Sequence, residues 1–388
     1  MLKKILFFFV IFFMGSFIFS FEECTTAIVG SKVTPDGSIL LWKNRDTSHL
    51  FNKVVFIKDE PYSYYGVVNS GEEAGRYVYG GINIKGFAII NSVAVNLPQK
   101  CGEEKDLEGL IMAEALRKCK TVDDFEKFIS ENLGESLGAL SNFGVIDAGG
   151  NGAIFEVYNH GYNRLNLKDF KEGYIINTNF SRSGKEYEGA GYVRFLEVKK
   201  LFEGRKNFGI EFLLENVVRD IDNFFVPISS NNKWINTVDS INRSSTASCM
   251  IFQVFTEKKL RKYSTMWIVL GEPLTSLAVP IFLGSESIPD ELFKGKFAPI
   301  SEISHNIKMV VRPKKGGHLT NYLDYSTYLN SGMKEMFRRE EEEILKDTEL
   351  FLKKRPDKKD MVKFQNRIAK RVYDFLHAFY ERIKFKKY

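Results

Sequence analysis

The sequence is short of several residue types on which folds and functional sites are commonly built. Its 388 residues include only 4 Cys, 5 His and 10 Pro. So few cysteines exclude a disulfide-rich scaffold, and so few prolines exclude a collagen-like chain. The five histidines lie far apart and form no metal-ligand spacing, so we expect no metal and no other cofactor. With 44% hydrophobic residues, the chain is long enough to fold around one large core or two ordinary ones.

Most of the chain also carries no net charge. The formal charge is +6, but residues 331–388 alone hold 17 basic and 11 acidic side chains, which is the whole excess. Residues 1–330 are therefore neutral overall. A neutral body lacks the basic surface that nucleic acids attract, so we expect no nucleic-acid binding.

The one long hydrophobic run lies at the amino terminus. Two lysines precede an apolar stretch from Ile5 to Phe13. This pattern predicts a signal peptide over residues 1–20, cleaved after Ser20, and hence a periplasmic or extracellular protein. An uncleaved anchor is the alternative, although the run is marginal for the roughly 20 residues that a spanning helix needs. Lipidation of Cys24 is a weaker alternative, because two glutamates stand where a lipidation signal needs small uncharged residues.

Hydrophobic periodicity predicts an α+β fold with a layered core. The predicted order is strands over 25–97, two helices over 107–129, strands over 143–146, 153–158 and 174–178, helices over 194–202 and 210–221, and strands over 247–256, 265–270 and 276–281. This order favours layered packing over regular βαβ alternation.

The sequence pattern of residues 331–388 predicts a helical hairpin appended to the main domain. Two charged amphipathic helices, 332–353 and 360–384, are separated by a break at Pro356. The second helix has a single apolar stripe, which favours packing on the core. Contact with an anionic envelope is the alternative, because residues 351–388 carry 13 basic and 4 acidic groups.

Cys24 stands apart from the other cysteines because of its place in the chain. Cys101 and Cys119 could form a disulfide in an exported protein, and Cys249 lies in an apolar strand typical of a core. If residues 1–23 are removed, Cys24 has a free α-amine beside its own thiol. An α-amine with a pKa of about 7.7–8.0 can accept the thiol proton near neutral pH. One residue then supplies both nucleophile and base, and no histidine is needed.

A second nucleophile motif matches in its residue pattern but not in the predicted structure around it. Gly134 to Gly138 reads G-x-S-x-G, but a nucleophile elbow needs a strand before the serine and a helix after it. Here a predicted helix precedes Ser136 and a predicted strand follows it. We interpret this motif as a chance match.

Six short segments between residues 24 and 195 match one known pattern. They are CTTAIV at 24–29, PDG at 35–37, LLWKNRDT at 40–47, GINIKGFAIIN at 81–91, NTNF at 177–180 and YVRF at 192–195. Together they make the chain similar to amino-terminal-nucleophile (Ntn) cysteine hydrolases of the isopenicillin-N acyltransferase-like family, related to penicillin V acylases and choloylglycine (bile-salt) hydrolases. The resemblance spans roughly residues 24–285.

The resemblance implies a role for five residues of this chain. Cys24 would be the mature first residue and the attacking group. Asp46 would accept a hydrogen bond from the Cys24 amine, and Asn179 would donate its side-chain amide to the developing oxyanion. Arg194 would orient Cys24 and Asp46. Asn91 is a weaker candidate, since the related acylases place their second asparagine two residues further on.

The resemblance also implies the domain organisation. Residues 24–330 would form a four-layer αββα Ntn-hydrolase sandwich, and residues 21–23 would be removed by late signal cleavage or by self-cleavage. The chain departs from the acylases at Lys43, where they have arginine, and this weakens the match to the bile-salt branch.

The function implied is that of an exported cysteine amidohydrolase. It would cleave a linear, non-peptide amide C–N bond of a small molecule through an acyl-enzyme on Cys24, with no cofactor. Three alternatives stay open: an acyltransferase that passes the acyl group to an amine, an amino-terminal-cysteine dipeptidase, and a non-catalytic envelope binding protein. The substrate and the oligomeric state are not encoded in any motif that we recognise.

Overall fold

The computed structural model describes residues 23–98, 105–133, 137–229, 231–312, 314–315 and 318–385. The predicted signal peptide, Cys101 and Ser136 lie outside the described residues. The fold is a mixture of helices and antiparallel sheets, as predicted.

Most strands belong to two antiparallel sheets. The first has the strand order β10-β1-β2-β12-β13-β14, and the second runs β3 to β9 in chain order. Two small two-stranded sheets, β11-β17 and β15-β16, complete the set. The strands are β1 (Glu23–Val29), β2 (Ser38–Asp46), β3 (Asn52–Ile57), β4 (Tyr64–Asn69), β5 (Gly80–Asn83), β6 (Ala88–Val93), β7 (Ser141–Ile146), β8 (Gly152–Tyr158), β9 (Gly161–Asn166), β10 (Tyr174–Asn177), β11 (Trp234–Asn236), β12 (Thr246–Phe255), β13 (Thr265–Leu270), β14 (Val279–Phe282), β15 (Lys314–Lys315), β16 (His318–Leu319) and β17 (Tyr322–Asp324).

Helices connect the strands and cover the sheets. They are α1 (Glu108–Lys118), α2 (Val122–Asn132), α3 (Tyr192–Phe202), α4 (Ile210–Phe212), α5 (Pro299–Val311), α6 (Tyr325–Asn330), α7 (Met333–Lys353) and α8 (Lys358–Ile383). Among the described residues, no helix combines the length and the apolar character that crossing a membrane requires.

The second sheet packs against α1 and α2 through aromatic side chains. Phe125 of α2 meets Phe155 of β8 edge-on, with ring centroids 5.1 Å apart. Thr121 begins α2 with a capping box, in which its hydroxyl accepts from Asp124 N and the Asp124 carboxylate accepts from Thr121 N. These two hydrogen bonds satisfy two amide groups that the first turn leaves open.

The first sheet buries both of its faces. On one side β1 and β2 contact β6 and β7 of the second sheet, and on the other side the sheet packs with α3, α5 and α8 in one large apolar cluster. A strand between two packed layers must be apolar on both faces. All nine residues of β2 are buried, including Lys43 and Arg45. Charged residues at this depth need partners, and these partners form the site described below.

The two long carboxy-terminal helices contact each other and the first sheet. Phe337 of α7 lies edge-on to Phe379 of α8 at 5.1 Å, and Phe351 stacks on Phe364 at 4.0 Å. Arg371 of α8 forms ion pairs with two acidic groups of α7. The apolar stripe predicted for the second helix is buried except for Phe375, which is partly buried.

Some elements differ from the sequence-based prediction. The helix expected over 210–221 stops after Phe212, continues as a π-helical turn over Leu213–Val217, and leaves residues 219–222 in a loop. Strand β9 and helix α5 were not predicted. The sequence of β9, GYNRLN, lacks the run of β-branched and aromatic residues that marks a strand. Helix α5 begins at Pro299, where proline supplies a helical φ and needs no amide partner.

Candidate active site

The candidate site is built on the pairing of β1 with β2. Cys24 lies opposite Arg45, and Glu23 lies opposite Asp46. Because successive side chains of a strand point to opposite faces, Cys24, Lys43 and Arg45 share one face, and Glu23 and Asp46 share the other. The thiol therefore lies on the side of the second sheet, and the two carboxylates lie on the opposite side.

Cys24 is fully buried, and its backbone is held at both ends. Its amide nitrogen donates to Asn179 Oδ1 at 2.8 Å. Its carbonyl oxygen accepts from Arg194 Nη1 at 2.7 Å. Asn179 lies two residues after the end of β10, the strand that pairs with β1, so the sheet places this side chain beside Cys24.

The side chain of Asn179 has a defined orientation. Its Oδ1 accepts from Cys24 N and from Arg194 Nη2, the latter at 2.9 Å, and its Nδ2 donates to Val93 O at 2.8 Å. Two donors at one end and a carbonyl at the other allow only one assignment of the amide.

Arg194 donates hydrogen bonds to four groups of the site. It lies in the first turn of α3, and its guanidinium donates to Cys24 O, to Thr25 Oγ1 at 2.9 Å, to Asn179 Oδ1 and to the Glu23 carboxylate at 2.9 Å. Burial, and then the neighbouring charge of Arg243, lower the pKa of Arg194 to about 10. It is therefore still cationic at neutral pH.

Asp46 is held by two groups, one from the segment before β12 and one from the first residue of that strand. Arg243 Nε donates to Asp46 Oδ2 at 2.7 Å, and Thr246 Oγ1 donates to Asp46 Oδ1 at 2.7 Å. Burial opposes the charge of Arg243, but the Asp46 and Glu23 carboxylates outweigh burial and raise its pKa. The predicted acceptor of Cys24 N was Asp46, whereas in this chain, with Glu23 in place, that nitrogen donates to Asn179.

Glu23 joins the two arginines. Its carboxylate receives hydrogen bonds from Arg194 Nη2 and Arg243 Nη2. Burial raises the pKa of Glu23, but the charges of Arg243 and Arg194 outweigh it and hold the pKa below its ordinary value. On this face of the sheet, two carboxylates and two guanidinium groups therefore balance each other.

Lys43 and Asn91 meet on the thiol side of β2. Lys43 Nζ donates to Asn91 Oδ1 at 2.6 Å and to Tyr79 O at 2.9 Å, and Asn91 Nδ2 donates to Ser141 Oγ at 3.4 Å. Arg45, opposite Cys24, lies over the Tyr79 ring at 3.7 Å. The thiol thus shares its face with two cationic side chains that are fixed by the second sheet.

The structure brings four of the five predicted residues into one connected network. Cys24, Asn179 and Arg194 are in direct contact, and Asp46 joins them through Arg243 and Glu23. Asn91 is connected to Lys43 rather than to these groups.

Sequence reasoning missed Arg243 and Glu23. Arg243 lies in a polar segment with no motif, and the useful signal was indirect: a buried Asp46 needs a cationic or donor partner. Glu23 was treated only as a residue to be removed.

The other described cysteines lie in different surroundings. Cys119 and Cys249 are buried thiols. Burial raises the pKa of Cys119 to about 12 and raises that of Cys249 further. A thiol must ionise to attack, so neither is a candidate nucleophile. Cys119 is a free thiol, so it forms no disulfide with Cys101, which lies outside the described residues.

No family model matches the chain, and no curated protein matches it. Among solved structures, the chain is similar to the N-acylethanolamine-hydrolyzing acid amidase ortholog of Caenorhabditis elegans, at 14% identity and a TM-score of 0.40 over 59% of this chain and 92% of that chain. It is also similar to a mutant of the conjugated bile acid hydrolase of Clostridium perfringens, at 13% identity and a TM-score of 0.40 over 67% and 92%. A third is the penicillin V acylase of Agrobacterium tumefaciens, at 12% identity and a TM-score of 0.37 over 69% and 89%.

Proposed function

We propose that this protein is an exported cysteine amidohydrolase that hydrolyses the C–N bond of a small linear amide through an acyl-enzyme on Cys24. The observation that carries the proposal is the setting of the Cys24 backbone nitrogen. This nitrogen is buried and held by Asn179 Oδ1, while Arg194 holds the carbonyl of the same residue. Two hydrogen bonds therefore fix the position of the Cys24 backbone. This would serve catalysis, because the same nitrogen becomes the α-amine of the mature chain.

Maturation, in this proposal, hydrolyses the Glu23–Cys24 peptide bond: water adds to the carbonyl carbon of Glu23, the Cys24 nitrogen leaves as the α-amine, and the residues up to Glu23 are released as a carboxylate. The α-amine then takes the place of the amide and donates to Asn179. Loss of the Glu23 carboxylate leaves Arg194 and Arg243 facing Asp46 and the new amine. Nearby guanidinium charges disfavour a second cation, so they hold the amine in its neutral, proton-accepting form.

The neutral amine then acts as the base for its own thiol. It takes the proton of Cys24 Sγ as the sulfur attacks the substrate carbonyl, and a tetrahedral oxyanion forms. When the C–N bond breaks, the ammonium returns that proton to the leaving amine. Water attacks the thioester in the same way, giving the free acid and restoring the thiol.

The oxyanion needs donors that are already in place. We assign this role to Asn179 Nδ2, since the side chain of Asn179 contacts Cys24 directly. Lys43, which lies on the thiol face and is fixed by Asn91, adds positive charge where the thiolate forms. In this proposal Asn91 acts through Lys43 and is a positioning residue.

The proposal includes the wider organisation of the chain. Residues 24–330 form a four-layer αββα sandwich, made of α1 and α2, the two large sheets, and the helices over the first sheet. Residues 1–20 direct export, and the basic helical hairpin of residues 331–388 provides a contact to an anionic envelope. Water and amines compete for the same acyl-enzyme, so acyl transfer is a side reaction of the same site.

The proposal is tested with Cys24→Ala and a matched cysteine variant, Cys119→Ala. Both lose a buried thiol, but Cys119 lies in the α1–α2 layer and outside the site. The intact mass of the secreted protein gives the first residue of the mature chain, and a panel of N-acyl amino acids, other amides and dipeptides gives the activity. We expect the wild type to begin at Cys24, Cys119→Ala to keep amide hydrolysis, and Cys24→Ala to lose it by a factor of about 10⁴ or more.

Three results would contradict the proposal. A mature chain that begins at Phe21 and is active has no amine base at Cys24. Undiminished hydrolysis by Cys24→Ala removes the nucleophile. Cleavage of dipeptides but of no N-acyl substrate would assign the peptidase activity in place of the amidase.

A further inference from the structure

A cluster of three carboxylates lies one helical turn away from Arg194. Glu197 of α3 meets Asp220 and Asp222 from the loop after the π-helical turn. One oxygen from each lies within 4.8 Å of the others. Nothing in the proposed chemistry uses these residues, and their sequence positions predicted no site.

One oxygen of this cluster lacks a partner. Glu197 is fully buried, and its Oε1 is paired with Lys200 Nζ at 2.8 Å. Its Oε2 is buried and has no hydrogen-bond partner among the residues that the structure describes. A buried carboxylate oxygen without a donor costs free energy, because it has lost water and gained nothing in return. This oxygen belongs to the group that faces the two aspartates.

Few ion pairs involve the cluster. Among the described residues, Lys200 is the one cation paired with these three carboxylates, and it pairs with Glu197. The lysine is itself half exposed, so it can move aside without unpacking the core. A divalent cation would balance the charge and occupy the unpartnered oxygen.

The cluster is accessible from solvent. Asp220 and Asp222 line a cavity of about 630 Å³ beside Tyr325 and Tyr328. The loop that carries them is firmly built, since Asp222 N donates to Asp220 Oδ1 at 3.1 Å and Ser240 Oγ donates to Ile221 O at 2.8 Å. A cation therefore has an entry path and a preformed set of oxygens.

We propose that Glu197, Asp220 and Asp222 bind a calcium ion. Calcium takes six to eight oxygens at about 2.3–2.6 Å, so two oxygens on one ion lie up to about 5 Å apart. Separations within 4.8 Å fit that span. Glu197 and Asp220 each use one carboxylate oxygen in a contact within the protein, with Lys200 and with Asp222 N. Water molecules would therefore supply the remaining ligands of the ion. An all-oxygen set excludes the softer metals that prefer nitrogen or sulfur.

The ion would tie together the two segments that carry the site arginines. Glu197 and Arg194 lie on the same helix, three residues apart. Asn242 N donates to Asp220 O at 2.8 Å, and Arg243 is the next residue. Calcium would therefore fix the distance between α3 and the Arg243 segment, whether or not the chemistry proposed above is correct.

Calcium binding by the purified full-length protein tests this inference. After treatment with EDTA and dialysis, titration calorimetry with calcium chloride should show one ion per chain, and the thermal midpoint should rise by about 3 °C or more at saturation. Glu197→Gln and Asp222→Asn should abolish both signals. Glu203→Gln, which removes an exposed carboxylate at the end of the same helix, should keep them.

The variants also report on folding. Without calcium, Glu197→Gln should be at least as stable as the wild type, because it relieves repulsion and removes a buried charge. The inference is overturned if calcium neither binds nor raises the midpoint of the wild type, or if Glu197→Gln binds it equally well. Binding of magnesium in place of calcium would overturn the choice of ion.

Discussion

Glu272 and Glu23 each pair with two cationic side chains, but in our proposal only Glu272 remains in the mature chain. Glu272 is fully buried and pairs with Arg312 at 2.6 Å and with Lys308 at 3.2 Å. Glu23 pairs with Arg194 and Arg243, and its side chain is 37% exposed. Glu272 lies deep in the domain, whereas Glu23 precedes the bond whose cleavage we propose.

One chain segment, residues 242–246, contacts both clusters. Asn242 donates to Glu272 Oε1 at 2.6 Å, Lys308 donates to the carbonyls of Ser244 and Thr246, and Arg243 and Thr246 hold Asp46. The segment 242–246 is therefore anchored by a permanent cluster on one side and presents its polar groups to Asp46 on the other. In the maturation that we propose, the site loses the charge of Glu23, and such an anchor would keep the remaining groups from rearranging.

The largest effect is expected when the permanent cluster is broken. Glu272→Gln leaves Arg312 and Lys308 buried without their counter-charge, so the free energy of unfolding should fall by about 3–5 kcal/mol. Chemical denaturation at neutral pH measures this loss. Asp290→Asn breaks an exposed pair with Lys294 and should cost about 0.5 kcal/mol or less.

The same cluster sets the behaviour in acid. Burial raises the pKa of Glu272, but the charges of Arg312 and Lys308 outweigh burial and lower it below its usual value. A carboxyl with a depressed pKa stabilises the fold above its ordinary pKa of about 4.3, and this contribution is lost as the pH falls through the depressed value. If Glu272→Gln and wild type differ equally at pH 7 and pH 2, the cluster is not the anchor that we describe.

A smaller effect is expected from moving one arginine of the other cluster. Gly191, before α3, has φ +81, and a Cβ there would lie 2.7 Å from Arg194 Nη2. Gly191→Ala should therefore displace the guanidinium as well as strain the backbone. We expect a loss of about 1–3 kcal/mol in stability and about 10²-fold in kcat/KM on the amide substrate that the panel identifies.

Gly204 provides the matched control for Gly191. It also has a left-handed φ, +71, but a Cβ there meets nothing within 4 Å. Gly204→Ala should cost backbone strain alone and leave kcat/KM unchanged. Equal kinetic losses in the two variants would show that Arg194 is not displaced, and that strain alone lowers activity.

The sequence was informative where one strand or helix carries the signal. Cys24, the β1–β2 pair and the Thr121 cap depend on local patterns, and each could be predicted from a few neighbouring residues. The network around Asp46 could not, because Arg243 comes from 197 residues away in the chain. No periodicity encodes that contact, which exists only because β12 pairs with β2.

Asn179 shows a second limit of sequence reasoning. Its position beside Cys24 was predicted from the resemblance, but the use of its two ends was not. An amide can donate or accept, and only the neighbours decide which end faces Cys24. Here the Cys24 amide and Arg194 select the oxygen.

The smallest effect concerns Glu23 itself. In a Cys24→Ala background, where we expect residue 23 to be retained, Glu23→Gln should lower the unfolding free energy by about 1 kcal/mol or less, because solvent screens a partly exposed pair. The charges of Arg243 and Arg194 depress the pKa of Glu23 in spite of burial. Its contribution should therefore be present at neutral pH and be lost as the pH falls through the depressed pKa. Denaturation of both proteins across this range measures it, with Glu203→Gln as the control for loss of one surface carboxylate. A loss as large as that of Glu272→Gln would mean that Glu23 belongs to the permanent structure, and a chain that must keep Glu23 for stability could not mature at Cys24.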